Sequence, residues 1–384
     1  MTARAATPRP TTRARASGPA RAGSVHAARL RRLASALAAH DCDWVLVTNP
    51  LDVAYLTGFL GGDSYLLAGQ RERVIISDFR YEEELVPVRA LARVHIRREP
   101  MVRAVAGLLA DRSIRRVAIQ AETVTLASRD ALAEAAGAGV TLVPVRDLVA
   151  PLRAVKDETE VRAIRAAARI QEQALLAVLP TIRPGQTELE VAARIEAEMK
   201  TRGSSAPGFE TIVAARANGS LPHYRPHKVK LAANRPLLID WGAVVDGYHS
   251  DMTRTFSLGR WPAPIREIYD VVLDAHRAAA AALAPGRTTR EIDAIARGYI
   301  SRHGYAERFG HGLGHGLGFN AHEEPFLSHI AAATTLREGM VVTIEPGIYL
   351  PGVGGVRLED DYLITARGAE NLCSLPLDAG WATL

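Results

Sequence analysis

The chain has 384 residues, two cysteines and a formal net charge of +5. That length accommodates two domains with separate cores, two thiols do not make a disulfide framework, and no run approaches the ~18 apolar residues of a membrane span. The charge excess sits in residues 1–24, which carry Arg4, Arg9, Arg13, Arg15 and Arg21 and no acid, so residues 25–384 are neutral and speak against a nucleic-acid partner.

Residues 1–24, built largely from Ala, Arg, Thr, Pro and Ser, have too little apolar surface for a core and are expected to form a disordered basic tail. The tail is arginine-rich and acid-free like an organelle transit peptide but lacks an amphipathic stripe, and it has no apolar core of a secretory signal. The expected location is the cytoplasm. Ser24 is predicted to cap a helix whose Leu30, Leu33 and Leu37 follow helical spacing. Short apolar runs at 44–48, 74–76, 94–96, 117–119 and 140–145 alternate with helical stretches, notably 100–111 and 127–136, and predict an α/β domain over 25–150. The segment after its first strand, TNPLDVAYLTGF, has no glycine-rich fingerprint, which excludes a dinucleotide site of that kind.

Asp157 and Glu160 form a capping box that opens a long helix and the second domain, residues 151–384. This domain contains an internal repeat. RPGQTELEVAARIEAEMKTRG and APGRTTREIDAIARGYISRHG align Pro184 with Pro285, Gly185 with Gly286, Thr187 with Thr288, Glu190 with Glu291 and Gly203 with Gly304, all at one offset. Each copy reads as a turn, a Thr-x-x-Glu capping box and a helix with a glycine stop. A duplicated unit predicts two halves related by a pseudo-two-fold axis, with a cleft between them.

Five residues of this domain read as one metal site: Asp240, Asp251, His315, Glu345 and Glu359. Four carboxylates and an imidazole make a hard, oxygen-rich donor set suited to two divalent ions that activate a water. Asp246-Gly247 is a hairpin signal lying between the two aspartates, which should bring them together, ~5 Å apart if directly paired. Glu345 and Glu359 flank LPGVGG in the same way, with Gly352 at their midpoint. Arg357 shares the face of Glu359 by strand periodicity and is positioned to neutralise a carboxylate, hold a substrate group or orient a metal ligand. His311 and His315 have the spacing of a zinc-protease helix, but Gly310, Gly312, Gly314, Gly316 and Gly318 alternate through the segment and argue against a helix.

The motifs LPHY, IDWGA…GYHSDMTRTF, HGLGHGLGFNAHEEP, TIEPGIY and GVRLEDD together resemble those of the pita-bread metallopeptidases, the group of methionine aminopeptidase, prolidase and aminopeptidase P. The resemblance covers about 25–380 and implies an α/β N-terminal domain followed by an α+β pita-bread (creatinase/aminopeptidase) catalytic domain with duplicated halves. It implies that Asp251 and Glu359 bridge two metals, that Asp240 completes one and that His315 with Glu345 completes the other. Glu345 would act as general base. His223 and His322 would contact substrate and stabilise the tetrahedral intermediate, while His311 and Arg357 match substrate-side residues of the proline-specific branch. Manganese is the expected metal, with cobalt, zinc or iron as alternatives.

The N-terminal domain, the junction LVAPLRAVKDETEVRAIRAAARI and the TNPLDVAYLTGF segment resemble the Xaa-Pro branch. The expectation is a metal-dependent Xaa-Pro aminopeptidase acting on peptides with proline in second place, working as a homodimer without nucleic-acid or membrane partners. A dipeptidase of the prolidase type is the alternative. A small-molecule C–N hydrolase on the same scaffold is a more distant one, and the complete ligand set argues against a non-catalytic histone-chaperone-like module.

Overall fold

A computed structural model describes residues 19–384, with side chains from residue 25 onward. The predicted tail therefore lies outside the described residues up to position 18. The first helix, α1 (Pro19–Leu37), takes in residues 19–24, so Ser24 is within it and is not its cap. The predicted leucines do their work, with Leu30, Leu33 and Leu37 all buried. The chain divides into two compact units, Met1–Val149 and Ala150–Leu384.

The first unit is built on a six-stranded sheet of order β4-β3-β2-β1-β5-β6, from β1 (Trp44–Val47), β2 (Tyr65–Gly69), β3 (Arg73–Ser77), β4 (Arg93–Ile96), β5 (Arg116–Gln120) and β6 (Thr141–Val145). Helices α2 (Pro50–Thr57), α3 (Met101–Asp111) and α4 (Leu126–Ala136) connect them. Two elements were not predicted. TNPLDVAYLTGF forms α2, capped by Asn49, whose side chain accepts from Leu51 N, and ended by Gly58 at φ 78°. β2 is the other; it pairs antiparallel with β1 and β3, making the sheet mixed, while β1–β5, β5–β6 and β3–β4 are parallel.

The second unit opens with α5 (Ala150–Ala154) and α6 (Glu158–Val178), whose capping box of Asp157 and Glu160 is present as predicted. Next come α7 (Glu188–Thr201), β7 (Ile212–Ala215), β8 (Pro236–Trp241), β9 (Val244–Val245), β10 (Tyr248–His249) and β11 (Met252–Ser257). The second half contains α8 (Ala263–Ala281), α9 (Thr289–Arg302), β12 (Gly314–Gly316), β13 (Glu323–Leu327), β14 (Val341–Ile344), β15 (Gly347–Leu350), β16 (Gly354–Arg357), β17 (Asp360–Thr365) and β18 (Gly368–Asn371). The strands form sheets β11-β8-β7 and β13-β12-β14-β17-β18, with two-stranded ladders β9–β10 and β15–β16. A large apolar core, with Trp241, Phe256, Tyr269, Ile292 and Ile344 fully buried, runs through both halves.

The repeat is visible in the backbone. Gly185 donates to Leu231 O and Gly286 to Leu336 O, both at 2.9 Å, while Leu231 N returns to Gln186 O and Leu336 N to Arg287 O, both at 2.8 Å. Thr187 bridges Lys230 as Thr288 bridges Thr335. Both capping boxes are closed, Thr187 with Glu190 and Thr288 with Glu291. Among the described residues no helix is long and apolar enough to cross a membrane.

Candidate metal centre

Asp246 and Gly247 take φ 52° and 83°, the left-handed pair that a two-residue hairpin needs, and fix the register of everything upstream and downstream. Val245 pairs Tyr248, and the same register places Asp240 opposite Thr253 on β11. Direct pairing of Asp240 with Asp251 is therefore corrected: Asp251 lies two residues before Asp240's partner. An offset of two is a diagonal that keeps both side chains on one face.

Glu345 and Glu359 conform more closely to expectation. Ile344 pairs Asp360 and Gly347 pairs Arg357, so one register carries through and sets the two glutamates opposite each other where the β14–β17 ladder gives way to β15–β16. At that break their backbone N–H groups turn outward. Glu345 N donates to Leu313 O at 2.8 Å and Glu359 N to Thr253 O at 3.1 Å, tying the hairpin to the strands that carry His315 and Asp251.

The alternating glycines of HGLGHGLG allow the third contribution. A Cβ on Gly314 would lie 2.0 Å from Thr343 O, and one on Gly316 2.2 Å from Glu324 O, so β12 approaches β14 and β13 too closely for side chains. His315 then projects from a strand, as the glycine pattern required. Its Nδ1 is 3.1 Å from Gly316 O, which leaves Nε2 3.4 Å from Glu345 Oε1 and 3.8 Å from Asp251 Oδ2. Burial, and after it His322, pull the imidazole down to about 3, so it stands neutral with a free lone pair.

Donor atoms of Asp251, His315 and Glu359 lie within 4.8 Å of one another, and Asp240 and Glu345 line the same cavity of about 610 Å³. Burial raises the carboxyls of Asp251, Glu345 and Glu359, the last to about 8, and the neighbouring acids add to the rise in all three. Asp240 Oδ1 is buried with no hydrogen-bond partner among the described residues. Crowded carboxylates, a neutral imidazole and an unpartnered oxygen fit divalent cations of hard or borderline character.

Arg357 has each of its three guanidinium nitrogens engaged. It donates to Thr253 Oγ1 at 3.0 Å, Tyr349 OH at 3.1 Å and Pro222 O at 3.3 Å, and forms a short ion pair with Asp240 Oδ2. Of the three roles open from sequence, the geometry matches neutralising and orienting Asp240. Thr253, unnoticed in the sequence, also donates to Glu359 Oε2 at 2.6 Å. His311 lines the cavity, but its Nδ1 meets Gly312 O at 2.7 Å and its Nε2 meets Tyr349 OH at 2.9 Å, which makes it a link in the Arg357–Tyr349 chain. His223 and His322 line the cavity as well, His322 with its ring 4.1 Å from that of His315. Around them stand Phe209, Ile212, Tyr224, Phe326 and Ile330, an apolar wall of which only Tyr224, in LPHY, falls within a motif singled out from the sequence. Glu323, beside His322, is clamped by Arg153 and Lys156; burial pushes its carboxyl up, and the two cations outweigh it and hold it low.

Residues 162–366 match metallopeptidase family M24, and residues 29–155 match the creatinase/prolidase N-terminal domain. The chain belongs to metallopeptidase family M24. It is 35% identical over 339 residues to an Xaa-Pro dipeptidase of Pyrococcus horikoshii, covering 87% of this chain and 93% of that one. Among solved structures it resembles an Xaa-Pro dipeptidase from Bacillus anthracis, with TM-score 0.90, 34% identity and coverage of 94% and 100%. It also resembles an X-Pro aminopeptidase from Thermotoga maritima, with TM-score 0.84, 31% identity and coverage of 92% and 99%. The M24 enzyme thus has the expected pita-bread catalytic fold preceded by an α/β creatinase-type domain.

Proposed function

We propose that this M24 metallopeptidase is an Xaa-Pro aminopeptidase, releasing the first residue from peptides with proline in second place. The observation that carries the choice over a dipeptidase is the commitment of Arg357. A strict dipeptidase needs a fixed cation for the proline carboxylate, and every arm of this guanidinium is engaged by Asp240, Thr253, Tyr349 and Pro222. The other arginine lining the cavity, Arg225, is 75% exposed and paired at 3.0 Å with Glu210, itself 59% exposed, which is no rigid clamp.

Asp240, Asp251, His315, Glu345 and Glu359 would hold the ions, with manganese proposed for this carboxylate-rich set. Divalent ions bound there supply Lewis acidity toward water and the scissile carbonyl. Glu345 accepts the proton of the attacking water and returns it to the proline nitrogen as the C–N bond breaks. His223 and His322 donate to the oxygen that gains charge. The apolar wall of Phe209, Ile212, Tyr224, Phe326 and Ile330 suits a proline ring, whose nitrogen has no hydrogen to offer a polar site.

A dipeptidase is the second reading, favoured by Arg225 at the rim and by the names of several relatives. The test compares Ala-Pro with Ala-Pro-Ala and longer peptides in Mn²⁺-loaded enzyme, before and after Arg225→Ala. Rapid release of alanine from the longer peptides, unaffected by the substitution, is expected. Cleavage confined to Ala-Pro and lost with Arg225 would assign the dipeptidase.

A further inference from the structure

Glu188 is the first residue of α7 and its side chain is fully buried, yet no basic side chain faces it among the hydrogen-bond and ion-pair partners described. Four donors of one segment converge on its carboxylate instead. Ala215 N at 2.8 Å and Asn218 Nδ2 at 2.9 Å reach Oε1; Tyr224 OH at 2.8 Å and His227 N at 3.1 Å reach Oε2. These donors bracket the turn Leu221–Tyr224, which carries His223 into the cavity. Asn218 Nδ2 also meets Tyr224 OH at 2.8 Å, closing the bracket across the turn.

Capping does not account for this carboxylate. Thr187 and Glu190 already close the capping box of α7, as Thr288 and Glu291 close that of α9. The repeat supplies an internal control, because the position matching Glu188 is Thr289. Thr289 N donates to Thr334 O at 2.9 Å just as Glu188 N donates to Val229 O at 3.0 Å, and the Thr289 hydroxyl needs only to accept from Thr334 N. The same helix start is thus built with a small neutral residue, and the buried charge in the first half has a separate task.

We propose that Glu188 is the positioning residue for His223: it locks segment 215–227 so that the imidazole meets the substrate carbonyl in the metal-loaded cavity. The inference rests on the assignment of His223 to that role. Four donors to one buried carboxylate hold the segment against the helix without competing with the metal ligands for charge. Arg357, through Pro222 O, holds the same turn from the metal side.

The test is Glu188→Gln, which keeps the size of the side chain but turns one acceptor into a donor facing other donors. In Mn²⁺-loaded enzyme kcat for Ala-Pro-Ala should fall by roughly 10- to 100-fold, the cost of misplacing a reacting group by about 1 Å, with bound metal per chain unchanged. In a His223→Ala background the same change should cost no more than about threefold further, because the two residues act as a unit. Asn218→Ala, which removes one donor outside the cavity lining, should give a smaller loss with the same non-additivity and serves if the glutamine variant does not fold. Amide hydrogen exchange, read without any substrate, should quicken across 215–227 and stay unchanged across 314–327. A full, multiplicative loss in the His223→Ala background, or unaltered exchange across 215–227, would overturn the proposal. If the parent enzyme turns over no Xaa-Pro peptide, the functional reading fails, and the exchange result alone decides whether Glu188 locks the segment.

Discussion

Glu345 and Glu359 face each other at a break in the β-ladder, and each sends its backbone N–H to a different neighbouring strand, Glu345 to Leu313 and Glu359 to Thr253. The break is what lets one hairpin gather the proposed ligands of two other segments: Leu313 is two residues before His315, and Thr253 is two after Asp251. The carboxyl groups of Asp251, Glu345 and Glu359 and the imidazole of His315 are thereby packed together by main-chain bonds.

Metal should therefore stabilise the enzyme strongly, by about 3 kcal/mol at a hundredfold excess over Kd. Asp251→Asn should raise Tm in chelator, since it relieves crowding among Asp240, Glu345 and Glu359, and should abolish both the metal-induced rise and turnover. His322→Ala should keep the metal and the rise in Tm but lose roughly 100-fold or more in kcat. Thermal scans, metal analysis and initial rates on the two variants check the contrast.

Arg357→Lys should be far from conservative. Lysine cannot reproduce the fork that joins Asp240, Thr253, Tyr349 and Pro222. Losing the group that orients Asp240 should weaken metal binding by roughly 10- to 100-fold. Titration of the apo variant with Mn²⁺, followed by activity, measures this; an unchanged metal affinity would contradict the orienting role.

Glu323→Ala should destabilise the fold by about 3–5 kcal/mol, because it strips the carboxylate from two buried cations, with the Lys156 side chain fully enclosed. Glu323→Gln should cost less, since one amide oxygen still accepts. Denaturant unfolding of the two variants at equal metal loading gives the comparison.

His276 on α8 should contribute a pH dependence. Burial takes its imidazole down to about 4, with Asp360 opposing the fall and Arg254 and Arg277 adding to it; neither ring nitrogen has a hydrogen-bond partner among the described residues, and Nε2 lies 3.9 Å from Asp360 Oδ2. A depressed value means stability is present above the unfolded value near 6.5 and is lost as pH falls through 4. At about 1.4 kcal/mol per tenfold change in proton affinity the loss is roughly 3 kcal/mol. His276→Phe, placed against Tyr362, should flatten this part of the stability profile between pH 6.5 and 4.

Much of this site could be read from residue order because its geometry is local to hairpins. Once Asp246-Gly247 and the turn around Gly352 are recognised, strand periodicity places each pair of carboxylates on one face, and the glycine alternation excludes a helix at His315. The capping boxes and the repeat are likewise encoded in short segments, where the side chain and the backbone group it satisfies lie within four residues. What residue order could not supply was register at one-residue precision, which shifted Asp251 to a diagonal, and the start of α1. It missed β2 and α2 because neither is an isolated, strongly periodic run. It also missed Glu188, Thr253, Glu323 and the bonding of His311. These roles depend on partners 27 to 170 residues away, from Ala215 to Glu188 at one end to Arg153 to Glu323 at the other, and only tertiary packing brings such donors and acceptors within hydrogen-bond reach.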